Sequence, residues 1–141
     1  MGKIKSGSPS AAAGKIQQQT NLSDGNMVFS FLHLDVLTNP KFTLNRCQTG
    51  YLEKLLERLK NLNAMTVKDF RETKSRSIRA HTHDWSTTTE KQGFSVLNQQ
   101  LRDLPGWQFQ ITSNDHGRVH GFFIDRTFFV VWLDPDHLMY S

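Results

Sequence analysis

The chain has 141 residues, a formal net charge of +4 and a single cysteine. That length suffices for one domain with its own core, and the lone Cys47 excludes an internal disulfide and fits a reducing compartment. No apolar run approaches the roughly 20 residues that cross a bilayer and no secretory signal is legible. The expectation is therefore a cytoplasmic protein with no membrane partner, whose basic balance (pI about 9.4) favours an acidic partner such as nucleic acid.

Residues 1–25 are mostly Gly, Ser, Ala, Lys and Gln without apolar periodicity and read as a disordered basic tail; residues 26–141 read as a single domain. The opening Met1-Gly2-Lys3-Ile4-Lys5-Ser6 matches the loose myristoylation pattern, but that pattern is permissive and a plain basic tail is the better reading. The run Met27 to Asp35 predicts an opening strand. Val28, Leu32 and Leu34 fall on one face and Phe29 and Phe31 on the other, as in a well-buried strand, with His33 a structural residue near its end. Asn39-Pro40 breaks the chain.

A first helix follows, with Thr43 or Asn45 as its cap and Tyr51, Leu52, Leu55, Leu56, Leu59 and Leu62 recurring at i, i+3 and i+4. Cys47 falls beside it. Glu53, Lys54, Glu57, Arg58 and Lys60 make its solvated face. Thr66-x-x-Asp69 predicts the capped start of a short second helix carrying Val67 and Phe70.

Lys68, Arg71, Lys74, Arg76 and Arg79 then form the densest positive stretch. Two readings stand side by side: a solvated helix end and loop, or a surface that displaces counterions from a polyanion. In His81-Thr82-His83, an extended backbone projects both imidazoles to one side, which suits a metal. No third ligand follows nearby in sequence, so no metal or cofactor is expected. Residues 86–93 read as loop and 94–104 as a short helix stopped by Pro105-Gly106.

The stretch from Trp107 to Tyr140 organises the rest. Trp107, Phe109 and Ile111 alternate with Gln108, Gln110 and Thr112, the period of a half-buried strand. A polar loop follows, in which His116 reads as a turn residue. Arg118 to Ile124 and Thr127 to Leu133 then form a hairpin about Asp125-Arg126. With those two as turn residues, Phe122 faces Phe129, His120 faces Val131 and Arg118 faces Leu133; a symmetric earlier loop sets Gln110 against His120. Directly opposed residues share a face. One face is then a core of Trp107, Phe109, Ile111, Val119, Phe123, Phe128, Val130 and Trp132, covered by the two helices. The other mixes Gln108, Gln110, Thr112, Arg118 and His120 with Phe122, Phe129, Val131 and Leu133, and reads as a binding face.

The order of elements, the arginine opening the penultimate strand (Arg118), the tight hairpin at Asp125-Arg126, the apolar last strand and the terminal His137-x-x-Tyr140 together resemble the RelE/ParE toxin superfamily. The likeness covers the last 35 or so residues in detail and the remainder in topology. It implies an α+β fold: a small antiparallel-rich sheet with two N-terminal helices packed on one face. It also implies a toxin of a toxin–antitoxin system, a ribosome-dependent endonuclease acting on messenger RNA, with a cognate antitoxin as second partner. Arg118, His137 and Tyr140 match the family's strand arginine, late imidazole and closing aromatic; His120 and His116 resemble histidines used by some members. Asp134-Pro135-Asp136 stands where the family carries a basic pair, and two carboxylates repel a phosphate unless they orient a histidine or lie outside the groove.

Metal-independent RNA cleavage needs a base for the 2′-hydroxyl, a cation for the charge building on phosphorus and an acid for the leaving 5′ oxygen. Histidine suits the first and third tasks, arginine the second, and an aromatic can hold a splayed base. The assignment is Arg118 on the phosphoryl oxygens, His120 and His137 as acid and base, and Tyr140 stacking or orienting. Lys68, Arg71, Lys74, Arg76, Arg79, Gln108 and Gln110 are the RNA-binding candidates. Structural roles compete: Arg118 pairing with Asp134, His120 bonding to Gln110, Tyr140 closing the core. Two further classes are a non-catalytic binding module of the same fold and a metal-dependent nuclease using His81, His83 and Asp84.

Overall fold

The computed structural model describes residues 25–112 and 117–140. Residues 1–24 of the expected 1–25 tail, with its myristoylation pattern, and the turn residue His116 lie outside the described residues. In chain order the elements are β1 (Val28–Ser30), α1 (Thr49–Leu62), α2 (Val67–Glu72), β2 (His81–Thr82), α3 (Gln99–Arg102), β3 (Trp107–Gln110), β4 (Arg118–Ile124) and β5 (Thr127–Asp134). Single 3-10 turns occupy Leu44–Arg46 and Trp85–Thr87. The fold is α+β, and its sheet runs β1-β5-β4-β3-β2.

The sheet is mixed, not the antiparallel-rich one expected. The short loops of the closing meander force antiparallel neighbours, and β3, β4 and β5 obey that. β1 is separated from β5 by most of the chain, which leaves its direction open, and it runs parallel to β5. The opening strand is also shorter and wetter than its composition predicts. It keeps three residues, and Leu32, beyond its end, is 77% exposed.

Helix α1 covers one face of the sheet with Leu55, Leu59 and Leu62, joined by Val67 and Phe70 of α2, against Phe109, Ile111, Val119, Phe123, Phe128, Val130 and Leu133. The expected two-helix cover of the Trp107 face is thus present. Neither Thr43 nor Asn45 caps α1: its N-cap is Gln48, without a side-chain bond. Thr66 does cap α2, its hydroxyl oxygen accepting from the Asp69 N–H at 3.1 Å. Arg58 departs from the solvated face assigned to it. Its Nη2 donates to the Ser77 carbonyl at 2.8 Å and its Nε to the Ile111 carbonyl at 3.2 Å, which ties α1 to the chain on either side of β2 and β3. The predicted helix over residues 94–104 shrinks to α3, capped by Asn98, because Phe94 turns into the second core instead.

That second core corrects the expectation of an open binding face. Phe42, Phe94, Phe122, Val131, Trp132 and Met139 pack together on the side of the sheet away from α1 and α2. Trp132 stacks on Phe42 at 4.8 Å between ring centroids and meets Phe94 edge-on at 5.2 Å. A β-bulge brings Trp132 into this core. The hairpin pairs Ile124 with Thr127 and Phe122 with Phe129 as the two-residue turn requires, but the register shifts between His120 and Gly121. Gly121 then faces Val130, His120 faces Trp132 and Arg118 faces Asp134. One extra residue in β5 reverses which face each later side chain takes, so Trp132 moves away from the helices and Leu133 moves under them. Glycine is needed at the bulge: a Cβ on Gly121 would lie 2.1 Å from the Phe129 carbonyl oxygen. The β3–β4 pairing is also displaced, with Gln110 facing Arg118 and Gln108 facing His120.

Candidate functional site

At the β2 end of the sheet the second core stops, and an open cleft of about 290 Å³ is lined by Arg79, His81, Gln108, Gln110, Arg118, His137 and Tyr140. Three elements and two irregular segments meet here. Strands β2, β3 and β4 bring His81, Gln108, Gln110 and Arg118 side by side. Arg79 comes from the segment entering β2, and His137 and Tyr140 from the tail after β5. Arg79 and His137 both hold left-handed backbone, with φ 45° and 57°, a conformation that costs a non-glycine residue energy and persists where surrounding structure fixes it.

The tail is fixed by two anchors. Asp134 accepts from the Leu138 N–H at 2.8 Å and from the Met139 N–H at 3.2 Å. Thr89, from the segment between β2 and α3, donates its N–H to the Met139 carbonyl at 2.7 Å and its hydroxyl to the Leu138 carbonyl at 2.8 Å. The segment 74–93 thus supplies Arg79, His81 and His83 and clamps the tail.

Beneath the cleft runs a continuous line of hydrogen-bonded side chains. His120 Nε2 lies 2.9 Å from Asp134 Oδ2, His83 Nε2 lies 3.0 Å from His120 Nδ1, and Tyr140 Oη lies 2.5 Å from His83 Nδ1. Both His120 and Asp134 are 0% exposed. Burial alone would raise the Asp134 carboxyl, but the bond from His120, its charge and the Leu138 and Met139 N–H groups hold it below the usual carboxylate range. Burial lowers His120 against the opposing pull of Asp134. Burial, with the neighbouring His120 and His81, pushes His83 down to about 2. Around neutral pH the line is one carboxylate and two neutral imidazoles.

Burial likewise lowers the Arg118 guanidinium; the Asp134 carboxylate opposes that shift and the nearby Arg79 adds to it. Arg118 Nη1 donates to the Gly117 carbonyl at 3.1 Å, and Tyr51 of α1 donates its hydroxyl to the Arg118 carbonyl at 2.9 Å, fixing the start of β4. On the other side, Gln108 donates through Nε2 to His81 Nε2 at 3.0 Å, and His81 Nδ1–H donates to the Thr82 carbonyl at 3.0 Å. Gln110 spends its amide on the Arg76 and Thr112 carbonyls.

The cleft therefore gathers Arg118, His137, Tyr140, Arg79, Gln108 and Gln110 among the predicted site residues. It does not gather the rest. His120 is sealed under Phe42 and against Trp132, because the second core covers the face it shares with Phe122, and it has no face for a substrate. It bonds to Asp134 and His83, not Gln110. Lys68 and Arg71 sit on α2, whose apolar side packs on the opposite face of the sheet; the Arg71 guanidinium lies over the Phe123 ring at 5.0 Å. Lys74 and Arg76 are exposed and outside the cleft lining. Asp134 meets the condition set by the sequence, since it orients a histidine, and Asp136 lies apart, paired with Arg46 at 3.2 Å.

His83 entered the sequence reading only as half of a metal pair. Its two ring nitrogens face Tyr140 and His120, and Asp84 accepts from the Ser86 N–H and hydroxyl as a turn cap. Among the described residues no group of three or more His, Cys, Asp or Glu is arranged to hold a metal ion, and no helix is long and apolar enough to cross a membrane. Compared with family models, with curated proteins and with solved structures, the chain finds no match.

Proposed function

We propose that this protein is a RelE-like endoribonuclease, the toxin of a toxin–antitoxin pair, which cleaves messenger RNA on the ribosome without a metal. The observation that carries the reading is the meeting of two guanidinium groups, Arg79 and Arg118, with two imidazoles and a phenol on one open cleft. The guanidinium groups repel one another, and an anion between them relieves that repulsion. The two-helix cover and the closing hairpin agree with the topology implied by the resemblance; the parallel β1 is this chain's own departure.

In the proposed reaction Arg79 and Arg118 bind the phosphoryl oxygens and stabilise the charge that grows on them. The 2′ oxygen attacks phosphorus and loses its proton to a base in the cleft. The P–O5′ bond breaks, and the 5′ oxygen takes a proton from the acid partner, leaving a 2′,3′-cyclic phosphate and a 5′-hydroxyl. His81 and His137, which line the cleft, are the acid and base in place of the sealed His120, and Tyr140 orients the ribose. Expression in bacteria should arrest growth, and Arg118→Ala together with His137→Ala should abolish the arrest and the appearance of cyclic-phosphate ends in messenger RNA. Undiminished growth with a folded wild-type chain overturns the proposal.

A second reading, a non-catalytic binding module, draws on the opposite end of the sheet. There the short edge strand β1 is followed by Leu32 and Leu37, 77% and 75% exposed, beside a groove that also includes Val96 and Leu97. Growth arrest separates the two readings, since a binding module gives none.

A further inference from the structure

The hydrogen bonds beneath the cleft can be directed from one end. Asp134 is ionised and already accepts two backbone N–H groups, so the imidazole nitrogen facing it must carry a proton. His120 therefore donates through Nε2, and as a neutral ring it accepts at Nδ1. His83 must then donate through Nε2 and accept at Nδ1, and the only proton available to that last bond is the phenolic one of Tyr140. No other assignment with two neutral rings satisfies all three contacts.

We infer that Asp134, acting through His120 and His83, turns the Tyr140 hydroxyl proton inward, so that Tyr140 faces the cleft as a hydrogen-bond acceptor and selects ligands that bring a hydroxyl donor, the ribose 2′-OH. The inference rests on the reading of the cleft as an RNA site and deepens it. Asp134, His120 and His83 are positioning residues; Tyr140 is the group that meets the ligand. Free phenols both donate and accept, and a rotating hydroxyl would accept a 2′-deoxy or 2′-fluoro sugar with little distinction. A hydroxyl whose proton is already committed rewards a donor alone. This also accounts for a carboxylate buried beside the cleft's Arg118: it neutralises charge from below and aims a hydroxyl without entering the groove. The groups around Tyr140 are His83, His81 and His137, with ring centroids at 5.5, 6.2 and 6.4 Å, and Asp84, whose charge adds to the effect of burial in raising the phenol.

Two measurements on the full chain test the inference. In 15N imidazole spectra near pH 7.5, His83 and His120 should each show a protonated Nε2 and a bare Nδ1. A doubly protonated His120, or a proton on His83 Nδ1, reverses the line and overturns the inference whatever the protein binds. In binding assays with a single-stranded oligoribonucleotide and its 2′-deoxy and 2′-fluoro counterparts, the ribose form should bind about tenfold tighter, the worth of one good hydrogen bond. Tyr140→Phe should erase the preference while keeping the ring, and His83→Phe should reduce it by freeing the hydroxyl to turn. Equal binding of all three oligonucleotides by the wild-type chain overturns the inference and leaves the cleft as a phosphate site. Binding of none overturns the RNA reading and removes the selectivity with it, while the nitrogen spectra still decide the direction of the bonds.

Discussion

His120 and His83 sit in the folded chain as neutral rings, both held below the 6.5 of a free imidazole. Below about pH 6.5 the unfolded chain binds protons that the folded one resists. Their contribution to stability is therefore complete above that pH and is lost as pH falls toward the folded values, about 2 for His83. The slope should reach about 1.4 kcal/mol per pH unit for each ring. Asp134, depressed in the fold, contributes in full above about pH 4 and loses its share only below that. Denaturant titrations from pH 7.5 to 4.5 should show the first decline, and His83→Phe should flatten it by its own share; a flat wild-type curve would contradict the neutral pair. Arg118, His137 and Tyr140 were legible because each lies at the end of a recognisable strand or tail. His83 was not, since its partners lie 37 and 57 positions away along the chain and nothing in HxH spacing reports them.

Elements divide in the same way. Helix α1 and the hairpin follow directly from apolar spacing and a two-residue turn, and both appear where the pattern sets them. The bulge does not follow from alternation, because the sequence on either side alternates well in both registers. Its one local sign is Gly121 inside a strand, where glycine otherwise weakens pairing. Gly121→Ala should cost about 3 kcal/mol or prevent folding, since its Cβ would meet a backbone carbonyl and the Phe128 ring at 2.5 Å. By contrast Thr66→Ala, which removes only the α2 cap, should lower stability by about 1 kcal/mol in chemical denaturation. A Gly121→Ala protein as stable as wild type would mean that β4 and β5 can pair without the bulge.

For the molecule as a whole, the positive charge is spread over both faces of the sheet, and of the densest basic stretch Arg79 alone lines the cleft. If RNA binds there, Arg79→Ala should weaken binding and reduce the salt dependence by about 0.7 in the log–log slope, the share of one phosphate contact on a single strand. Lys68→Ala, on α2, should leave both unchanged. Filter binding at several salt concentrations measures the two together. An equal effect from both substitutions would shift the site from the cleft to the helical side. Net charge pointed to a polyanion but could not say which of the basic residues would share a surface, because that depends on a pairing register two residues away from the symmetric one.

The extra residue in β5 has a consequence for how this chain can change over time. Deleting Val131 would remove the bulge yet keep Trp132 opposite His120 and Asp134 opposite Arg118, so regular alternation alone would hold the indole in the second core and the carboxylate beside His120. Pairing the full sequence without the extra residue would instead set Arg118 against Leu133 and carry Asp134 to the far side of the sheet from His120.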